Sequence, residues 1–147
     1  DDGEVDGLIM AAAGLKRLGL ADRIREYLST DVCLPAPAQG ALALQTRDGD
    51  HVINTVVFLR HSPTMLAVTA ERALLEHLGG GCLLPVGAFA SVSGDALNLA
   101  AVAADPDGRK LLREEHRGPA EAAEPIGIEL AERLLSRGAR TLLRERG

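Results

Sequence analysis

Cys82 follows three consecutive glycines, Gly79, Gly80 and Gly81, in the stretch LGGGCLLPVG at residues 78–87. Glycines leave bare backbone, so a bulky group can approach closely and the thiol can shift its position. The thiol also lies just past an expected helix C-terminus, whose carbonyls disfavour a thiolate. That placement suits a covalent attachment point better than a catalytic nucleophile. The alternative is a small buried hydrophobe, the commoner fate of a lone cysteine. Cys33, beside Leu34 and Pro35, reads as a packing residue. Cys33, Cys82, His77 and His116 have no standard zinc-ligand spacing, so no metal is expected.

Composition narrows the chemistry. The chain has 147 residues, 46% of them hydrophobic and only 2% aromatic. Its core must therefore be aliphatic. With no Trp and one Tyr, base stacking is not expected, and the net charge of −5 argues against a nucleic acid partner. No apolar run is long enough to cross a membrane. The acidic start DDGEVDG is unlike a signal peptide. Two cysteines make no disulfide framework, which points to a reducing, cytoplasmic setting.

The elements that would hold these residues differ along the chain. GLIMAAA at 7–13 reads as a buried strand, ADRIREYLS as a short helix, and ALALQT as a strand. Pro35 and Pro37 impose extended backbone, so 33–40 reads as a linker; residues 49–61 lean to helix. From residue 62 the pattern is self-contained. Leu66, Ala70, Leu74 and Leu78 recur every four residues in a helix with Ser62 as N-cap, Pro63 at its first position and Gly79 as terminator. VGAFASVS, ALNLAAVAA and RKLLREEH follow, joined by turns at Gly94–Asp95 and at 105–108. Ile126, Leu130 and Leu134 then mark a closing helix, with Gly138 near its end. The expected fold class is α+β: a carboxy-terminal domain with a three-stranded antiparallel sheet and flanking helices, preceded by remnants of α/β domains.

The segments AAAGLKRLGLADRI, LPAPAQGALALQTR, HSPTMLAVTAER, AERALLEHLGGGCLLPVGAFA and GIELAERLLSRGA, in that order, resemble the porphobilinogen deaminase (hydroxymethylbilane synthase) family through nearly the whole chain. The resemblance implies a dipyrromethane cofactor, joined by a thioether to Cys82, with Gly80 and Gly81 beside it. It implies porphobilinogen as substrate. Four molecules would be added to the dipyrromethane primer with loss of ammonia, and hydrolysis would release the linear tetrapyrrole of heme, chlorophyll and cobalamin biosynthesis. Arg17 matches a family arginine that contacts substrate and cofactor carboxylates, Lys16 is a weaker second, and Gln39 and Gly40 match an interdomain segment near the cleft.

By the same resemblance, residues 1–33 end a second domain, 34–60 cross back to a first domain, and 61–147 form the cofactor-carrying third domain. The amino-terminal half, with its catalytic aspartate, is expected to be absent. This chain alone should then be inactive and need those domains as partners, and the parent should be a monomer. Ala38 replaces a usual family glycine and Gln45 a usual glutamate. A non-catalytic α+β binding or assembly module is the competing reading; it predicts no adduct on Cys82.

Overall fold

The helical and alternating patterns after residue 60 become a layered unit in the computed structural model, which describes residues 3–49, 51–81 and 84–144. In chain order the helices and strands are α1 (Ala12–Arg17), α2 (Val52–Val56), α3 (Ser62–His77), β1 (Val86–Ser93), β2 (Ala96–Ala104), β3 (Leu111–Pro119), α4 (Ala123–Ser136) and α5 (Ala139–Arg144). The three strands form one antiparallel sheet in the order β1-β2-β3. This is the expected α+β meander with flanking helices.

Strand alternation decides which residues enter the core. Val86, Ala88 and Ala90 of β1 and Leu97, Leu99, Ala101 and Ala103 of β2 are buried on one face. Helices α3 and α4 cover that face with Ala70, Leu74, Ile126, Leu130 and Leu134. Burying each leucine contributes about 1.5–3 kcal/mol. The two helices cross closely because Gly127 has no side chain: a Cβ there would collide with the Ala70 carbonyl oxygen and the Ala73 Cβ. Ion pairs fasten the exposed side of α4. Glu129 meets His116 of β3 at 3.0 Å, and Arg137 just beyond the helix meets Glu114.

The turns follow their residue types. Gly94 has φ +58, the positive value required at the first central position of a type II′ hairpin. At the second turn the Asp105 carboxylate accepts the Lys110 N–H at 3.1 Å. Helix α3 starts one residue earlier than the Ser62 cap implied. His61 is the N-cap, and its Nδ1 accepts the Thr64 N–H at 3.4 Å, with Pro63 inside the first turn. A further helix, α5, which the sequence analysis does not predict, follows Gly138 and buries Ala139 and Leu142.

The region before residue 60 departs from expectation. Residues 7–11 form no strand and are exposed; helix α1 begins at Ala12 instead. The expected helix at 21–29 is a single 3-10 turn, Ala21–Arg23. ALALQT at 41–46 is not a strand, and Leu42 is 96% exposed. A strand needs a neighbour to take its backbone hydrogen bonds, and among the described residues no strand pairs with these segments. The helical leaning at 49–61 holds, as α2 followed by a 3-10 turn, Val57–Leu59.

Candidate functional site

The glycine turn is built by the end of α3. Leu78 is the last helical cap, Gly79 has φ +116, and the N–H groups of Gly79 and Gly80 donate to the carbonyls of Glu76 and Leu75 at 3.0 and 2.9 Å. This is a Schellman termination, and it consumes two carbonyls that would otherwise end the helix unpaired. Gly80 and Gly81 also have positive φ, +61 and +121. Among the described residues, a Cβ placed on any of the three would meet nothing within 4 Å, so the turn is open on its outer side. A bulky group anchored at the next residue fits that openness. Cys82 itself lies outside the described residues.

Gln39 and Gly40 are held in place by a strap that crosses the sheet. The three-strand register aligns Gly87, Val102 and Arg113 in one row across the face opposite the helices. Arg113 donates from Nη1 to the carbonyls of Thr30 and Asp31, at 3.3 and 3.1 Å. Leu34 lies over Gly87, where an added Cβ would sit 3.0 Å from the Leu34 Cβ. Strand β1 is an edge strand, and its outward N–H groups need partners. The Ala88 N–H donates to the Pro35 carbonyl at 2.9 Å, and the Ala90 N–H to Glu71 Oε1 at 2.7 Å. The other Glu71 oxygen accepts the Ala38 N–H at 2.5 Å. Sequence reasoning passed over Glu71; a carboxylate inside the otherwise apolar face of α3 was its only signal.

Glu71 is buried, 6% exposed, and desolvation raises its pKa above the ordinary 4.5, against the lowering effect of its two backbone donors. The loop beyond it is compact. The Gln39 N–H donates to the Ala36 carbonyl, and Gln39 Oε1 accepts the Ala36 N–H at 3.2 Å. Ala38 has φ +63, the one non-glycine residue with positive φ among those described. That conformation costs an L-residue about 1–2 kcal/mol.

The structure thus joins Gln39–Gly40 and the Gly79–Gly81 turn to one unit: the first through Glu71, the second through the end of the same helix. Lys16 and Arg17 lie elsewhere, on exposed α1. Lys16 Nζ stands 4.9 Å from the centroid of the Tyr27 ring, within cation–π range. Among the described residues, no three His, Cys, Asp or Glu side chains are grouped to hold a metal. His77 and His116 pair instead with Glu132 and Glu129.

Comparison with known proteins follows the division between these regions. The family model described as porphobilinogen deaminase, C-terminal domain, matches residues 65–136. The model described as porphobilinogen deaminase, dipyromethane cofactor binding domain, matches residues 1–55. The chain belongs to the porphobilinogen deaminase family. A porphobilinogen deaminase of Pelobacter propionicus is 46% identical over 146 residues, 99% of this chain and 47% of the relative. That of Syntrophotalea carbinolica is 46% identical over 144 residues, 97% of this chain and 46% of the relative. The chain therefore spans about half the length of the curated porphobilinogen deaminases it matches. Arg17, Gln39 and Gly40 fall within the match to the cofactor binding domain model, and the glycine turn and Cys82 within the match to the C-terminal one.

Proposed function

We propose that this chain is the carboxy-terminal part of a hydroxymethylbilane synthase, a transferase that joins four porphobilinogen molecules with loss of ammonia in tetrapyrrole biosynthesis. The observation that carries the reading is the open glycine turn directly before Cys82, within a chain matched to this family over both its regions. When bound, a dipyrromethane on Cys82 would supply the anchored pyrrole end to which porphobilinogen is joined. The chain's own residues would hold and steer. Gly79, Gly80 and Gly81 leave the space the anchored group needs and give its tether freedom. Arg17 presents an exposed guanidinium for acetate and propionate carboxylates, with Lys16 beside it in α1. Gln39 and Gly40 border the path of the growing chain between domains.

In this reading residues 1–33 close a second domain, 34–60 cross to a first, and 61–147 form the cofactor-carrying domain. The remaining domains, with the catalytic aspartate, lie in the half of the relatives that this chain does not span. Alone the chain makes no product; with them it works as a cytoplasmic monomer. No helix among the described residues is long and apolar enough to cross a membrane.

Mass spectrometry tests the reading. In an active longer enzyme carrying this chain, the peptide containing Cys82 should bear a dipyrromethane adduct, and Cys82→Ser should abolish it together with activity. An unmodified thiol in active enzyme overturns the assignment and favours the non-catalytic module.

A further inference from the structure

We propose that Glu71 is a positioning residue that pins residues 30–38 to the carboxy-terminal unit and thereby fixes the Gln39–Gly40 loop. Its two carboxylate oxygens serve two separate elements. Oε1 takes the Ala90 N–H of the sheet edge, and Oε2 takes the Ala38 N–H of the strap. The strap's remaining holds lie upstream: Arg113 on Thr30 and Asp31, Gly87 beneath Leu34, and Ala88 on Pro35. Glu71 reaches further, to Ala38, the residue next to Gln39.

The backbone around Ala38 shows that this hold is strong. An alanine at φ +63 persists only where its surroundings over-determine it. Here the Ala38 N–H is fixed by a buried carboxylate, and the Ala38 carbonyl accepts the Ala41 N–H at 3.3 Å. The loop is thus closed from both sides of one residue. The proline-rich stretch that reads as a linker is instead bound to the carboxy-terminal unit along its length.

The consequence for the reaction rests on the proposed function, because it takes Gln39 and Gly40 to border the growing chain. Two measurements separate the two claims. The first needs no activity: amide hydrogen exchange of this chain, resolved by residue. Glu71→Leu keeps roughly the size but removes both acceptor oxygens, so the Ala38 and Ala90 N–H groups both lose their partner. A hydrogen bond to a charged acceptor is strong enough that exchange at Ala38 should rise about tenfold or more. Amides of β2 and α4 should stay within about threefold. Unchanged exchange at Ala38, or a parallel rise throughout, overturns the pin. If the variant does not fold, the parent chain decides: Ala38 must be protected like Ala88 and Ala90, and exchange as fast as at 42–44 refutes the proposal.

The second measurement uses the longer enzyme with its Cys82 adduct verified by mass. Glu71→Leu should raise KM by about tenfold while kcat changes less, the signature of a displaced binding loop. Equal KM, or a fall in kcat alone, overturns the positioning role. A missing adduct in the parent enzyme would instead count against the proposed function and leave the exchange result standing.

Discussion

Residues 61–144 and residues 3–60 use the same aliphatic alphabet to opposite effect. In the first region Leu74, Leu97, Leu99, Leu130 and Leu134 are completely or almost completely buried. In the second Ile9 is 79% exposed, Leu42 96% and Phe58 78%. Monomeric proteins rarely leave so much apolar surface uncovered. The difference lies in partners. The later region contains a whole layer pair, sheet and helices, within its own length. The earlier region has short helical turns and extended stretches whose complements are not beside them. Its one firmly placed part is the strap, which borrows the sheet of the other region.

The sharpest way to break this comparison is to truncate one leucine in each region. Leu130→Ala should destabilise the chain by about 2–5 kcal/mol, and Leu42→Ala by less than about 0.5 kcal/mol, in urea unfolding followed by circular dichroism. Equal losses would mean that the two regions are packed alike. Glycines give a second contrast. Gly127→Ala should cost about 1–3 kcal/mol, because backbone of α3 stands in the way. Gly14→Ala, in α1 with open space around it, should be neutral or gain up to about 1 kcal/mol of local helix stability.

Smaller effects probe the junction of the regions. Ala38→Gly should stabilise the strap by about 0.5–1 kcal/mol, since glycine accepts φ +63 without the Cβ penalty but loses more chain entropy; thermal unfolding would register it. Glu71 should leave a mark on the pH dependence. Its folded pKa is raised, so the folded state binds this proton more tightly than the unfolded state. Its stabilising contribution is present in full below about pH 4.5 and is lost as pH rises through the folded pKa. Glu71→Gln should remove that slope, so the stability difference between variant and parent should change across this window and be flat outside it.

Much of the carboxy-terminal unit was legible because its cues are local. Four-residue spacing in α3 and α4, alternation in the strands, Gly94 at a tight turn and Gly79 at a helix end each follow from backbone geometry within a few residues. The glycine turn of the candidate site was legible for the same reason. The strand readings at 7–13 and 41–46 failed because an apolar run states only that a segment is to be buried. It does not supply the neighbouring strand that would bury it. Glu71 escaped notice because a glutamate between helix-forming residues looks like any solvated charge until the fold covers it.

The amino-acid order alone determined α3, the three-stranded meander and α4, the bare backbone before Cys82 and the family to which these motifs belong. Tertiary structure alone decided that a proline-rich stretch lies across a sheet, that one buried carboxylate bridges strap and strand edge, and that α3 and α4 meet at a glycine. The physical reason is range. Periodicity and turn chemistry act over a few residues. The hydrogen bond from Ala38 to Glu71 spans 33 residues, and it exists only once packing has brought its two ends together.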